Sequence, residues 1–252
     1  MNYEVYALKC ASTQSPTPEL LFLTDWGKWT ALNTYIWVIK GGEKPIVVDT
    51  GLRDAYEKEF NQFCPGEEYT VGPGEDTVSC LRKLGLSPDE VGHLIATHLH
   101  YDHFVNVRLF RNAEIYVSKK GWLELMAPRY PQLVNPVLFP RDVLGYLANE
   151  AWKRVHLVGD EEEILPGVKV FWVGGHTMCS QAIAVETRKG KVVIGGDTVF
   201  LYRNIEENIP AGMSYSILDC YAAMDRMRRE SNIILPNHDV ELLKRYPDGK
   251  IA

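Results

Sequence analysis

Short apolar runs recur along the chain and predict a protein rich in β-strands. Most of these runs have the length of a single strand and are rich in valine and isoleucine. Two further runs surround Gly41 and Gly42 within residues 33–51, a pattern typical of a β-hairpin. The other predicted strands cover residues 4–10, 91–98, 113–118, 168–175, 181–187, 191–198 and 232–238.

Two segments have helical rather than strand periodicity. In residues 75–86 three apolar positions recur at helical spacing, and Gly85 follows as a stop signal. Residues 214–228 form the second predicted helix, with apolar side chains again on one face. Hairpins outnumber strand–helix–strand alternations, and no linker divides the chain. We therefore expect a single domain over residues 1–252, with mixed β-sheets and helices on the outside.

Residues 119–153 differ from the rest of the chain. They are rich in aromatic residues and prolines and have no sustained strand period. Segments of this kind often serve as lids or interfaces. We expect this segment to bound a pocket or to pack on a partner subunit, and not to contribute to the core.

Composition and charge narrow the class of protein. The 252 residues are 46% hydrophobic and 24% charged, and the net charge of -6 argues against a general nucleic-acid binder. No apolar stretch is long enough to predict a membrane span, and the first ten residues do not resemble a secretory signal. The cysteines contain no CxxC pair, which favours free thiols in a reducing, cytoplasmic compartment. They are Cys10, Cys64, Cys80, Cys179 and Cys220.

Four metal-binding side chains lie within six positions at the end of a predicted strand. In the sequence HLHYDH these are His98, His100, Asp102 and His103. His98 and His100 alternate by two and point to one side of an extended segment. Imidazole and carboxylate donors suit a borderline metal such as zinc. An open catalytic ion usually takes three protein ligands, so four donors on one loop indicate two ions.

Three further candidates follow other predicted strands. His176, Asp197 and His238 each lie just after an apolar run, where an α/β scaffold places its chemistry. Taken singly, such residues are more often loop or core residues. Together with the four side chains of the HLHYDH segment, they supply the further ligands that two metal ions need. His93 and His156 do not lie just after an apolar run and are not candidate ligands.

This set of residues resembles the metallo-β-lactamase fold superfamily, and within it the N-acyl homoserine lactonases. PIVVDTG at 45–51, VGGHT at 173–177 and NHD at 237–239 extend the resemblance over most of the chain. It implies a four-layer αβ/βα sandwich of two mixed sheets flanked by helices. It also implies a monomeric or homodimeric hydrolase that acts on a small molecule, with neither nucleic acid nor membrane as partner.

The resemblance also allots the ligands of two zinc ions, with iron or manganese as alternatives. His98, His100 and His176 would hold one ion, Asp102, His103 and His238 the other, and Asp197 would bridge them. A hydroxide between the ions would open a lactone, or a related small ester or cyclic amide. Asp102 would then transfer the proton. Asp49 is a candidate partner for a ligand imidazole and equally a candidate turn cap.

Two departures from the family pattern predict a changed specificity. Homoserine lactonases carry a tyrosine three residues after the bridging aspartate, where this chain has Phe200. Tyr202 is then the candidate replacement for the missing phenol. Phe104 and Val105 stand where the family often has glycines, and we expect them to reshape the pocket wall. The best substrate is therefore expected to be a carbonyl compound other than a long-chain homoserine lactone.

The sequence is also compatible with other activities. An iron oxygenase like the persulfide dioxygenases has a similar motif with one metal and fewer ligands. A nucleic-acid phosphodiesterase of the same superfamily is disfavoured by the net charge. A secreted β-lactamase would need a signal sequence and usually has cysteine where Asp197 stands. A thioesterase of the glyoxalase II type would want a helical region after His238.

Overall fold

The structure of the protein, a computed structural model, describes residues 2–252 apart from the side chains of residues 54–57. The first of two β-sheets has six strands in chain order, antiparallel from β1 to β3 and parallel from β3 to β6. Its strands are β1 (Glu4–Pro16), β2 (Trp29–Lys40), β3 (Ile46–Val48), β4 (His93–Ile95), β5 (Glu114–Ser118) and β6 (Val155–Val158).

The second sheet is formed by the C-terminal part of the chain. Its spatial order is β11-β10-β9-β8-β7, and only the pair β10 and β11 is parallel. Its strands are β7 (Glu161–Leu165), β8 (Val168–Trp172), β9 (Gln181–Thr187), β10 (Gly190–Ile194) and β11 (Ile233–Leu235).

Helices of very different length connect the strands, and α8 is the longest. They are α1 (Thr17–Leu20), α2 (Asp54–Phe63), α3 (Thr77–Arg82), α4 (Tyr101–Phe104), α5 (Lys119–Met126), α6 (Arg141–Asn149), α7 (Tyr202–Glu206), α8 (Ile217–Glu230) and α9 (Glu241–Arg245). Among the described residues, no helix is both long and apolar enough to cross a membrane.

One hydrophobic core lies between the two sheets. Trp37 and Ile39 of β2 point into it from one side, and Val170 of β8 and Ile183 of β9 point into it from the other. All four are completely buried. Alternate residues of a strand face opposite sides of its sheet. The intervening residues of these strands therefore point to the outer face of each sheet.

Helices cover the outer face of each sheet. Val38 of β2 packs with Leu81 of α3 and Val143 of α6 on the first sheet. On the second sheet, Val193 of β10 packs with Met224 of α8. These layers form the predicted sandwich of two mixed sheets flanked by helices, and that prediction is confirmed.

The predicted elements are present, with different ends. β1 continues to Pro16, whereas β4 and β11 have only three residues each. Periodicity gave no sign of β6 and β7, because β6 is half exposed and β7 begins with three exposed glutamates. Such edge strands bury too few apolar side chains to leave a period-two pattern.

Residues 119–153 are only in part an excursion from the core. The expectation that they stay out of it was wrong for α6, where Val143, Leu144, Tyr146 and Leu147 are buried in the outer layer of the first sheet. An amphipathic helix of nine residues supplies this contact. By contrast, Leu138 and Phe139 reach the histidine cluster described below. All five cysteines are free, as predicted.

Candidate metal centre

Strand ends from both sheets meet at one edge of the sandwich. β3 and β4 are parallel neighbours in the first sheet, and β10 and β11 are parallel neighbours in the second. The carboxyl ends of parallel strands lie at the same edge of a sheet. Asp49 and His98 follow the first pair, and Asp197 and His238 follow the second. Both sheets therefore deliver polar side chains to one place.

The HLHYDH segment turns from this edge into α4. His100 is the extended residue that precedes the helix, so Asp102 and His103 fall in its single turn. His176 joins them from the loop after β8. The seven predicted ligands are all between 0% and 7% exposed: His98, His100, Asp102, His103, His176, Asp197 and His238.

The seven side chains form overlapping groups, each with its ligand atoms within 4.8 Å of one another. The groups are His98, His100 and His176; His98, His103 and Asp197; and Asp102, His103 and His238. The first and last share no residue and match the two predicted ligand sets. The geometry therefore offers two neighbouring positions for a metal ion.

Asp197 lies between the two ligand sets. Its Oδ2 is 3.7 Å from Nε2 of both His98 and His176, on the side of the first set. Its Oδ1 is 3.1 Å from Nε2 of His238, on the side of the second. Oδ2 also lies 3.4 Å from Nε2 of His103 in the second set. A carboxylate that is close to residues of both sets is placed to bridge two ions.

Three imidazoles are oriented by hydrogen bonds of the Nδ1 atom, which points away from the cluster. Nδ1 of His103 lies 2.9 Å from Oδ2 of Asp49, and Nδ1 of His176 lies 2.7 Å from the Met213 carbonyl. Nδ1 of His238 lies 3.0 Å from the backbone carbonyl of Asn33. A carboxylate or carbonyl oxygen accepts, so each Nδ1 carries a proton and each Nε2 atom points into the cluster.

Burial keeps several of these imidazoles in the form that binds metal. Desolvation lowers the pKa of His98 well below its usual value, and it lowers the pKa of His100 to about 3. Burial also opposes charge on His103, but the carboxylates around it, Asp102 first, raise its pKa well above the usual range. The first set is therefore neutral at neutral pH, and the second carries compensating carboxylates.

Asp49 connects the histidine loop to β3. It has a left-handed backbone with φ of 60°, a conformation that aspartate tolerates better than most residues. Its carboxylate accepts from the Thr97 N–H and hydroxyl, both over 2.7 Å, as well as from His103. The structure thus gives Asp49 both of its candidate roles, since it holds the imidazole of His103 and also caps the turn at Thr97.

Sequence reasoning missed Asn237 and Tyr69. Nδ2 of Asn237 donates to Oδ1 of Asp197 over 3.2 Å, and its own carbonyl accepts from the Trp37 indole. In the sequence, the signal that could have identified Asn237 was its position next to the candidate ligand His238. Tyr69 donates to Oδ2 of Asp102 over 3.1 Å from a segment with no periodicity, so no local pattern pointed to it.

The chemistry of the donors fits metal ions. The Nε2 atom of His98 is buried and has no hydrogen-bond partner among the described residues. Elsewhere imidazole nitrogens face one another directly, His176 Nε2 with His100 Nδ1 at 3.2 Å and His238 Nε2 with His103 Nε2 at 3.3 Å. A buried polar atom left unpaired is costly, and divalent ions, one in each ligand set, would satisfy these nitrogens.

The cluster opens into a cavity of about 170 Å³. His100, Asp102, His176, Asp197 and His238 form its polar wall. The remaining lining is mainly aromatic and aliphatic, with two carboxylates, three hydroxyls and one thiol: Ser15, Glu19, Leu20, Leu32, Phe60, Phe63, Cys64, Glu67, Tyr69, Tyr101, Leu138, Phe200 and Met213. A small molecule in this cavity would be held mostly by apolar contacts beside the cluster.

Phe200 lies in this cavity and Tyr202 does not. The Phe200 ring is 5.2 Å from the His176 ring and 5.7 Å from the His238 ring. Tyr202 lines a separate surface recess beneath the guanidinium of Arg245, and its hydroxyl has no hydrogen-bond partner among the described residues. The prediction that Tyr202 supplies the missing phenol is wrong, because the chain turns into α7 at this residue.

Phe104 and Val105 do not form the pocket wall either. Both are buried in the core layer beneath α6, with 0% and 1% of their surface exposed. The expectation that their bulk reshapes the pocket beside the cluster was wrong. α4 directs its Asp102 and His103 side toward the cluster and these two apolar residues toward the core.

Comparisons with known proteins agree with this geometry. A sequence model of the metallo-beta-lactamase superfamily matches residues 29–238, which include all seven candidate ligands. The N-acyl homoserine lactonase of Bacillus thuringiensis is 26% identical over 224 residues, 85% of this chain and 84% of that protein. A solved N-acyl homoserine lactone hydrolase with N-hexanoyl-L-homoserine at its catalytic metal centre has a TM-score of 0.78 at 20% identity, over 100% of both chains. A dizinc quorum-quenching lactonase has a TM-score of 0.70 at 13% identity, over 94% of this chain and 88% of that one.

Proposed function

The chain belongs to the metallo-beta-lactamase superfamily, and we propose that it is a metal-dependent hydrolase that opens a lactone or a related small ester or cyclic amide. The observation that carries the proposal is the pair of ligand sets joined by Asp197 at the wall of a small apolar cavity. The similarity to lactonases supports the substrate class.

The seven side chains have distinct parts in this proposal. His98, His100 and His176 would hold one ion, Asp102, His103 and His238 would hold the other, and Asp197 would be shared between them. Two zinc ions in these positions supply Lewis acidity and a hydroxide nucleophile at neutral pH. The complete second set favours this reaction over one that uses a single iron.

Asp102 is the general acid–base group of the proposal. It lines the cavity, and its Oδ2 lies 3.2 Å from Nε2 of His103, another member of the second ligand set. Its carboxylate takes the proton of the attacking hydroxide as the new C–O bond forms. It returns that proton to the leaving oxygen as the ester C–O bond breaks, so that the products are a carboxylate and an alcohol.

The cavity favours a small substrate without a long acyl chain. Its volume of about 170 Å³ lies below the roughly 300 Å³ at which pockets for drug-sized ligands begin. The Phe200 ring lines the cavity beside His176 and carries no hydroxyl that could donate to a substrate carbonyl or amide. We therefore assign a compact lactone, or a related ester or cyclic amide, as substrate.

One experiment tests the proposal directly. Elemental analysis is combined with a hydrolysis screen of lactones, esters, cyclic amides, thioesters and phosphodiesters on the same sample. We expect two zinc ions per chain, and hydrolysis of at least one carbonyl class. His238→Ala should lose one ion and most activity. The exposed His156, which pairs with Glu114 away from the cluster, provides the control variant His156→Ala.

Other outcomes would replace the proposal. One iron per chain without hydrolysis of any class would indicate an oxygenase. Hydrolysis confined to phosphodiesters would indicate a phosphodiesterase of the same superfamily. Full activity in His238→Ala would remove the second ion from the reaction.

A further inference from the structure

The Tyr69 phenol is a polar group of the cavity that the proposed reaction leaves unassigned. Its Oη lies 3.1 Å from Oδ2 of Asp102, and the two residues are only 8% and 5% exposed. An ionised carboxylate only accepts, so the phenol is the donor. The same Asp102 oxygen lies 3.2 Å from Nε2 of His103, which places it on the side of the second ligand set.

Tyr69 is held in this position by contacts on several sides. Its backbone N–H donates to Oδ1 of Asn61 over 2.9 Å. The next residue, Thr70, exchanges two backbone hydrogen bonds with Ser12 of β1, at 2.9 and 3.0 Å. The ring packs edge-on against Phe60 with 5.3 Å between centroids. A side chain that is already ordered gives up little conformational entropy when it forms a hydrogen bond.

We infer that Tyr69 is a positioning residue: its phenol holds Oδ2 of Asp102 toward the second ligand set and leaves Oδ1 as the oxygen that carries the proton. An oxygen that accepts from the phenol and also faces a metal ion is poorly placed to take a proton from the substrate. Groups that orient metal ligands typically change metal affinity by about 10–100-fold when removed. The proton-transfer part of this inference rests on the proposed hydrolase, and the metal-binding part does not.

The test compares Tyr69→Phe with a matched control. Tyr6→Phe also deletes a phenol that donates to a carboxylate, that of Glu4 over 2.9 Å, outside the site. Zinc affinity of the metal-free protein is measured by competition with a chromophoric chelator. We expect the affinity of one of the two sites to fall by about tenfold in Tyr69→Phe and to be unchanged in Tyr6→Phe.

The second measurement uses whichever ester or lactone the parent hydrolyses. In Tyr69→Phe we expect kcat to fall by about tenfold or more while KM is retained. The loss should be larger for an alkyl alcohol than for a nitrophenolate leaving group, because nitrophenolate departs without a proton.

Three results would overturn the inference. Unchanged zinc affinity in Tyr69→Phe is decisive on its own, even if no substrate has been found and the proposed function has failed. A loss confined to KM would mean that the phenol only binds substrate. An equal loss of kcat for both leaving groups would mean that it does not act through the proton of Asp102.

Discussion

At the residue scale, the centre concentrates buried polar groups whose partners are other buried polar groups. His98, His103, Asp197 and Asp49 lie within a few ångströms of one another with almost no exposure. Burial of an unpaired charge costs far more than a hydrogen bond returns. Such an arrangement is stable only when each group has a specific partner or a bound metal ion, and so single substitutions here should have large effects.

Replacement of Asp102 by asparagine tests its role in proton transfer. Asparagine keeps the shape and removes both the negative charge and the proton-accepting oxygen. We expect Asp102→Asn to lose about 10²–10⁴-fold in kcat while it keeps at least the ion of the first ligand set. Steady-state kinetics and elemental analysis measure the two effects. A variant with nearly the parent's kcat would exclude proton transfer by Asp102.

Phe200→Tyr tests the origin of specificity. A hydroxyl on this ring would lie beside His176 and His238 and could donate to a substrate carbonyl. Because one preorganised donor is worth about 10²–10³-fold in turnover, we expect kcat/KM on homoserine lactones to rise by at least tenfold. Tyr202→Phe should leave these kinetics unchanged. Equal activity of Phe200→Tyr and the parent would mean that the phenol is not what limits lactone turnover here.

Glu19 should make stability depend on pH. Desolvation first, and then the neighbouring Glu67, raise the pKa of Glu19 from 4.5 to about 7, and Oε2 is buried without a partner among the described residues. Between pH 4.5 and 7 the folded state binds more protons than the unfolded state. The free energy of unfolding therefore falls as the pH rises through this window.

The variant Glu19→Gln removes this titration. At pH 8 we expect it to be more stable than the parent by about 1 kcal/mol, or roughly 2–4 °C in Tm, after allowance for solvent screening of a half-buried group. At pH 4.5 the two proteins should melt together. Tm curves of parent and variant that stay parallel across this pH range would contradict the assignment.

At the scale of elements, close packing of α5 against the His176 loop fixes one side of the centre. A Cβ on Gly121 would lie 2.0 Å from Cβ of Cys179, a residue three positions after His176. The helix can approach the loop this closely only because position 121 has no side chain. α5 therefore contributes to the site by position, although it carries none of the seven candidate ligands.

Gly121→Ala tests this contact. Because the added methyl group must displace either the helix or the loop, we expect a loss of about 1–3 kcal/mol in stability and weaker metal binding. Gly145 of α6 is the matched control, since nothing lies within 4 Å of a Cβ built there. Gly145→Ala should be neutral or stabilise by up to about 1 kcal/mol through helix propensity. Thermal melts and zinc titrations of both variants measure these effects. A Gly121→Ala protein as stable as the parent would contradict the close packing of α5 against the His176 loop.

At the scale of the whole molecule, the metal centre links the two sheets. Asp49, His98 and His103 come from the side of the first sheet, and Asp197 and His238 come from that of the second. Ions bound by both groups would hold the layers together at this edge. Ligand binding to the folded state alone raises stability by mass action.

Removal of the metals should therefore lower the melting temperature. An ion at a thousand times its dissociation constant contributes about 4 kcal/mol, or on the order of 10 °C for a chain of this length. We expect a chelator to cause a loss of this order in the parent and a smaller loss in His238→Ala. Calorimetry with and without added zinc measures it. A chelator that leaves the melting temperature of the parent unchanged would contradict a metal that links the sheets.

The sequence by itself determined the fold class and the chemistry of the centre. Short apolar runs reveal strands because strands in a sandwich with helices outside are buried on both faces, and this held for β5, β8, β9 and β10. The HLHYDH cluster was legible because its donors are adjacent in the chain. The later histidines and Asp197 became convincing only beside it, since single polar residues after strands are common.

Tertiary structure alone decided which side chains reach the cavity. Tyr69 is 33 positions from Asp102 and meets it through the pairing of Thr70 with Ser12, which no local period encodes. Tyr202 is close to Phe200 in sequence, yet the turn into α7 directs its ring to another surface. The reason is physical: periodicity records which face of an element is buried, whereas contacts between distant segments depend on how whole layers pack.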